Sequence, residues 1–134
     1  MNIQTILGVA QFGSDYGITN SKKLNFYSAN RIIDYSKKYT HFLDTAIDYK
    51  KANIYLSKID LSEFKINSKI LIKHNDTKKS VVAKIKKHIK LLNVKKLNTL
   101  FIHNVSEFII NKKNKNILES IQDLKKKNVI KYLG

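Results

Sequence analysis

The hydrophobic and polar positions of the chain repeat one arrangement four times. Each repeat is a short apolar run, then a polar loop, then an amphipathic stretch. The apolar runs are predicted to form strands and the amphipathic stretches helices, because apolar positions that recur with a period of 3.6 residues indicate a helix. The predicted strands cover residues 3–10, 40–43, 69–72 and 97–102, and a fifth run covers residues 129–133.

The predicted helices cover residues 28–39, 52–59, about 77–92 and about 114–127. Ser28 is the expected N-cap of the first helix. The third helix has the clearest pattern, with apolar side chains every three or four residues, at Val81, Val82, Ile85, Ile89 and Leu92. Strands that alternate with helices in this way predict an α/β fold with a parallel sheet and right-handed crossovers.

Composition limits the class of protein. A length of 134 residues suits one domain, which we expect to span residues 1–134. The absence of cysteine excludes disulfides, thiol catalysis and Cys-ligated metal centres. No apolar run reaches the roughly 20 residues that cross a bilayer, and the first residues are too polar for a signal peptide. We therefore expect a cytoplasmic protein.

The charge is strongly positive, since 26 Lys and Arg residues against 10 Asp and Glu residues give a formal net charge of +16. One interpretation is a surface for nucleic acid or another polyanion. The other is compositional: Arg31 is the only arginine, and nucleic-acid interfaces rely on arginine and stacking aromatic residues. We favour the second interpretation and expect the lysines to be solvated, with nucleic acid not a partner.

Three consecutive predicted strands are each followed by an ionisable residue. These residues are Asp44, Lys73 and His103, and Tyr49 lies five positions after Asp44. Functional residues of parallel α/β folds gather at the carboxyl ends of the strands. Each residue alone is more commonly a turn, cap or packing residue, but an ordered set on successive strands predicts one site.

These four residue types suit proton transfer to a carbonyl oxygen during hydride reduction. Tyrosine is a weak acid near neutral pH, and a neighbouring ammonium group lowers its pKa and eases proton donation. A carboxylate holds the lysine in place, and a neutral histidine orients the substrate carbonyl. This chemistry requires no metal.

The same residues carry a resemblance to the aldo-keto reductases. Residues 42–59 match the D-T-A-x-x-Y signature of that family at Asp44, Thr45, Ala46 and Tyr49. Four other segments add to the resemblance. Residues 7–20 resemble the opening of a bacterial branch of the family, and residues 70–75 and 97–105 resemble the strands that carry its catalytic lysine and histidine. Residues 118–134 resemble the helix and strand that follow. The resemblance covers essentially the whole chain.

The resemblance implies the N-terminal half of a (β/α)₈ TIM barrel, with four βα units and the start of a fifth strand. It also implies an NADP(H)-dependent oxidoreductase that reduces a small-molecule aldehyde or ketone to an alcohol. By this resemblance Tyr49 is the general acid, Lys73 lowers its pKa, Asp44 pairs with Lys73, and His103 orients the carbonyl.

The resemblance further places Val9, Ala10 and Asp44 near the nicotinamide of the cofactor. Two positions depart from the family: Val9 stands where many members carry threonine, and Lys50 stands where a glycine commonly follows the tyrosine. The local shape and charge beside Tyr49 are therefore expected to differ from those of the family.

Length adds a further expectation, because a complete (β/α)₈ barrel typically needs about 250 residues. We interpret the chain as truncated at its C-terminus relative to the family. An open half barrel would expose its inner face and associate or aggregate; the expected inner residues are Ile6, Leu43, Ile70, Ile72, Leu100 and Ile102. Three hypotheses follow: a non-catalytic fragment, an enzyme completed by self-association or by a separate C-terminal half, and a basic polyanion-binding protein.

Overall fold

The computed structural model describes residues 4–15, 23–105 and 114–134, and within them strands and helices alternate. The strands are β1 (Leu7–Gly8), β2 (Phe42–Asp44), β3 (Lys65–Ile70), β4 (Leu97–Ile102) and β5 (Ile130–Leu133). The helices are α1 (Phe26–Ser36), α2 (Lys50–Leu56), α3 (Lys78–Leu91) and α4 (Asn114–Lys126). Residues 16–20 of the opening segment used for the resemblance lie outside the described ranges.

The strands form one five-stranded sheet in the order β1-β2-β3-β4-β5, and every neighbouring pair is parallel. Strand order therefore equals chain order, as expected when each helix returns the chain to the next strand by the same crossover. The predicted parallel α/β fold is confirmed.

The core lies between one face of the sheet and the helices. Leu43, Ile66, Ile70 and Leu100 on the strands are at most 1% exposed. They join one hydrophobic cluster with helix residues such as Ile85, which has no exposed surface. Burying an aliphatic side chain of this kind stabilises a fold by about 1.5–3 kcal/mol, so this layer holds the sheet and helices together.

Five of the six residues predicted for the inner face pack against the core instead, and the sixth, Ile6, is 53% exposed. Leu43, Ile70 and Leu100 face the helices, and Ile72 and Ile102 are partly buried against the same core. Because side chains alternate along a strand, their neighbours in sequence occupy the face away from the helices. The registers align these neighbours across the sheet; they are Phe42, Asp44, Lys65, Asn67, Lys69, Thr99, Phe101 and Tyr132. That face is mixed and partly charged rather than continuously apolar.

Local signals explain most helix boundaries, with one correction. Thr77 caps α3, and its side chain and that of Ser80 bond to each other's backbone N–H groups at 3.1 and 2.9 Å. The N-cap of α1 is Asn25 and not Ser28, because the Asn25 side chain accepts a bond from the Ser28 N–H at 2.8 Å. Helix α1 thus begins two residues earlier than predicted.

Strand β3 also begins earlier than predicted, at Lys65 rather than Lys69, and ends at Ile70. The first half of β3 is largely polar in sequence. The apolar run at residues 69–72 therefore places the predicted strand too close to the C-terminus. Pairing with β2 through Lys65 and Asn67 sets the true position. No helix in the described ranges is long and apolar enough to cross a membrane.

Candidate active site

An ion pair between Asp44 and Lys69 forms the centre of a cluster at the carboxyl end of the sheet. Asp44 is the last residue of β2, and Lys69 lies near the end of the adjacent β3. The Lys69 Nζ donates to the Asp44 Oδ2 and lies 3.4 Å from the Thr45 carbonyl oxygen. The two side chains are 23% and 28% exposed, so the pair is partly shielded from water.

Tyr49 lies beside this ion pair at the start of α2. Its N–H donates to the Ala46 carbonyl at 3.1 Å, which closes a turn after β2 and brings the side chain back over the sheet. The Lys69 Nζ lies 5.8 Å from the centroid of the Tyr49 ring. The ammonium group of Lys69 and the aromatic ring of Tyr49 therefore lie close together at this end of the sheet.

His103 completes the cluster from β4. Its N–H donates to the Ile70 carbonyl at 3.0 Å, which continues the pairing of β4 with β3 one residue past the end of the strand. The His103 and Tyr49 rings meet edge to face, with centroids 6.4 Å apart and planes at 80°. The structure therefore brings together Asp44, Tyr49 and His103, three of the four predicted catalytic residues.

The fourth predicted residue, Lys73, lies elsewhere, and the predicted Asp44–Lys73 pair is replaced by Asp44–Lys69. Lys73 is exposed three positions past the end of β3, and its N–H donates to the Asp76 Oδ2 at 2.9 Å. The reason is the position of β3 along the chain. Its pairing with β2 places Asn67 beside Asp44 and Lys69 two residues further on the same face, whereas Lys73 lies past the end of the strand. The sequence signal for this position is weak, because Ile66 and Ile70 share one face of the strand with the polar Ser68.

A buried polar network that sequence reasoning missed supports the loop before Tyr49. The Thr45 hydroxyl donates to the Asn53 Oδ1 at 2.9 Å, and the Asn53 Nδ2 donates to the Ala46 and Ile47 carbonyls at 2.9 and 3.2 Å. Thr45 and Asn53 are at most 1% exposed. Since buried amides stay paired, Asn53 holds the Asp44–Tyr49 loop against α2. A polar residue on the buried face of a predicted helix was the available signal.

The predicted cofactor residues have different environments. Val9 has no exposed surface and packs in the core. Ala10 is partly exposed in the turn after β1. Gly8 pairs in register with Asp44, and a Cβ added to Gly8 would meet no atom within 4 Å. Open space therefore lies over Gly8, beside Asp44.

Other potential sites lie apart from this cluster. One cavity, of about 930 Å³, runs between α1 and the outer edge of β1 and is lined by Ile6, Ile32 and Tyr35 among others. No three His, Asp or Glu side chains in the described ranges form a group that could hold a metal ion.

The fold and this cluster define the chain as half of a parallel (β/α)₈ barrel with a Tyr-Lys-Asp-His group at the carboxyl ends of its strands. No family model and no curated protein matches the sequence. Solved structures of aldo-keto reductases do match it, over nearly all of this chain.

Three of these structures show the extent of the similarity. A Pseudomonas aeruginosa protein assigned to the aldo-keto reductases has a TM-score of 0.76 at 16% identity, over 96% of this chain and 53% of its own. The Bacillus halodurans enzyme, in its holo form, gives 0.68 at 17% identity, over 96% and 44%. The Bombyx mori enzyme, in complex with NADP, gives 0.70 at 13% identity, over 96% and 45%.

The chain thus spans about half the length of the aldo-keto reductases that it matches. These similarities confirm the predicted resemblance and the predicted half of a TIM barrel at the level of the fold.

Proposed function

We propose that this chain carries the proton-transfer residues of an NADP(H)-dependent carbonyl reductase, with Tyr49 as the general acid. The supporting observation is the position of the Lys69 ammonium, which bonds to Asp44 and lies 5.8 Å from the Tyr49 ring centroid. His103 meets the same ring from the side. The aldo-keto reductase fold and the NADP complex of the Bombyx mori enzyme support the choice of cofactor.

In this proposal the oxygen of an aldehyde or ketone lies between the Tyr49 hydroxyl and the His103 ring. The Tyr49 O–H donates its proton to that oxygen, and the Lys69 ammonium stabilises the phenolate that remains. Asp44 fixes the position of Lys69, and His103 orients the carbonyl by a hydrogen bond. NADPH, when bound, supplies the hydride that reaches the carbonyl carbon. The product is an alcohol.

Lys69 takes the role that the sequence analysis gave to Lys73. Electrostatic stabilisation of a phenolate falls as the cation moves away or becomes exposed to solvent. Lys69 is partly shielded beside Asp44, whereas Lys73 is exposed beyond the strand. For the nicotinamide we retain Ala10 and Asp44, add the open space at Gly8, and remove the buried side chain of Val9.

The proposed activity also needs partners that complete the barrel. Strands β1 and β5 are the two edges of the sheet, and parallel (β/α)₈ barrels have none. We propose that a second copy of this chain, or a separate chain with a C-terminal half, pairs with these edges. A non-catalytic fragment is the alternative if neither does. The cytoplasmic location expected from the sequence stays a prediction.

The decisive experiment compares two lysine variants in one assay. We would follow NADPH oxidation with an aromatic aldehyde as substrate, and cofactor fluorescence for binding, at protein concentrations whose oligomeric state is known from sedimentation. Tyr49→Phe and Lys69→Met should lower the rate about 100-fold or more, because a positioned general acid contributes about 10²–10⁴. Lys73→Met, the matched control, should stay within about twofold.

The outcomes separate the hypotheses. Full activity in Tyr49→Phe would remove Tyr49 as the acid. Loss in Lys73→Met with normal activity in Lys69→Met would restore the assignment made from sequence. Absence of NADPH binding in every oligomeric state of the chain would support the non-catalytic fragment and direct the search to a C-terminal half.

A further inference from the structure

A second cavity, of about 450 Å³, lies at the amino ends of β3, β4 and β5. Its basic wall consists of Lys65, Lys95, Lys96 and Lys131, which come from three separate segments of the chain. We call it the lysine cavity. Lys65 begins β3 and precedes Lys69 by four residues, or about 13 Å along the strand. The lysine cavity is therefore distinct from the candidate active site at the other end of the sheet.

The positive charge of this wall is not neutralised by ion pairs. Within the described ranges none of its four lysines pairs with a carboxylate. Lys65 instead lies over the Phe42 ring, with its Nζ 5.1 Å from the centroid, and the Lys96 Nζ donates to the Asn128 Oδ1 at 2.9 Å. Both partners are neutral, so they position the ammonium groups without cancelling their charge.

Tyr132, next to the lysine cavity on β5, experiences the same positive charge. The Lys131 Nζ lies 4.8 Å from the centroid of its ring. A hydrogen bond from Lys131 and its charge lower the pKa of the Tyr132 hydroxyl, and the charges of Lys65 and Lys125 lower it further. Three lysines from different elements thus act on one point at this end of the sheet.

Two sources of negative potential lie nearby, and they are too small to cancel four lysines. Helices α3 and α4 end here, and each carboxyl end carries about half a negative charge. Asp60 adds one carboxylate, which accepts a bond at 3.0 Å from the N–H of Ser62, a residue of the cavity wall. Together these offset about two of the four positive charges, so the cavity attracts anions.

We propose that the lysine cavity binds a compact anion with two or more phosphate groups. Its volume falls within the range of small-molecule sites. Lysine ammonium groups bind phosphate oxygens as point charges without a fixed orientation. Asn93 lies in the same wall, and its side-chain amide is a neutral donor for the remaining oxygens.

The shape and composition of the wall favour such a small anion over nucleic acid. A strand of nucleic acid is bound along a basic groove with aromatic rings on which bases stack. Here the lysines surround a cavity, and the neighbouring Phe42 and Tyr132 rings are already covered by Lys65 and Lys131. The single arginine, Arg31, is not part of this wall.

Calorimetric titration of the full chain with inorganic tripolyphosphate tests this proposal. We expect one saturable site per chain, with an affinity that falls as salt is added. The double variant Lys95→Gln/Lys96→Gln should weaken binding about tenfold or more. The matched control is Lys86→Gln/Lys87→Gln on α3, since both lysine pairs are exposed and both variants have the same net charge.

A third variant, Lys131→Gln, tests whether the site spans separate segments and should weaken binding about threefold or more. Circular dichroism and urea unfolding would establish that all variants remain folded. Equal losses in the two double variants would overturn the proposal, because net charge alone would then explain binding. Binding of tripolyphosphate at several weak sites per chain would overturn it as well. So would displacement of tripolyphosphate by single-stranded oligonucleotides whose affinity grows with their length.

Discussion

Acidification should destabilise this fold through one buried histidine. His88 on α3 is 3% exposed, and its Nε2 lies 2.9 Å from the hydroxyl oxygen of Ser68, a residue of β3 with no exposed surface. Burial lowers the pKa of His88 from its ordinary value of 6.5 to about 4. The folded chain therefore keeps His88 neutral at pH values where the unfolded chain protonates it.

The size and direction of the effect follow from these two pKa values. Below pH 6.5 the unfolded chain binds a proton that the folded chain accepts only near pH 4, so the free energy of unfolding falls across this window. Each pH unit between the two values corresponds to about 1.4 kcal/mol, which gives a loss of about 3 kcal/mol. Most domains have only about 5–15 kcal/mol of stability, so this loss is substantial.

Urea unfolding at several pH values between 7.5 and 4 would measure this slope. His88→Gln removes the titrating group and keeps an amide that can bond to Ser68. The free energy of unfolding of this variant should therefore fall by about 3 kcal/mol less than that of the parent chain over the same pH range. His74→Gln, at an exposed histidine, is the control and should retain the slope of the parent chain. The reasoning is refuted if His88→Gln loses stability on acidification as steeply as the parent chain.

Two further substitutions test the supports of the loops at the candidate site. Asn53→Ala should lower the free energy of unfolding by about 1–3 kcal/mol, because the Thr45 hydroxyl and two backbone carbonyls lose a buried partner; urea unfolding measures this, and an unchanged midpoint would contradict it. Burial acts to raise the pKa of Asp76, but hydrogen bonds from Lys84, the Lys73 N–H and Ser80 together lower it. Asp76→Asn should therefore cost about 1–2 kcal/mol at neutral pH, less than for a fully buried pair because Lys84 is partly solvated. The cost should shrink as the pH falls below 3.8 and Asp76 becomes protonated in the parent chain; a cost that does not change with pH would contradict this.

The order and type of the elements could be predicted because they depend on local periodicity. Helix α3 has apolar side chains at helical spacing and a Thr77 cap, and both signals lie within the segment itself. Strand β4 was predicted with the bounds that the structure shows, since its apolar run has polar neighbours on both sides. The carboxyl end of β4 in turn placed His103 in the cluster.

The face of each strand could not be predicted in the same way. In β3 the buried residues include Asn67 and Ser68, so hydrophobicity does not distinguish its two faces. A strand's two faces interchange with a shift of one residue, and only pairing with β2 and β4 fixes the shift. Lys69 and Lys73 are four residues apart and would share a face, so the choice between them depended on where β3 ends, at Ile70, and the sequence alone favoured Lys73.

The sequence by itself determined the parallel α/β class, the resemblance to aldo-keto reductases, and the positions of Asp44, Tyr49 and His103 at successive turns. These depend on periodicity and on one short motif, which are properties of contiguous residues. Tertiary structure alone decided that Lys69 pairs with Asp44, that Asn53 supports the tyrosine loop, and that lysines from three separate segments line one cavity. Each of these contacts joins separate segments of the chain. Strand pairing, and not distance along the sequence, decides which segments meet.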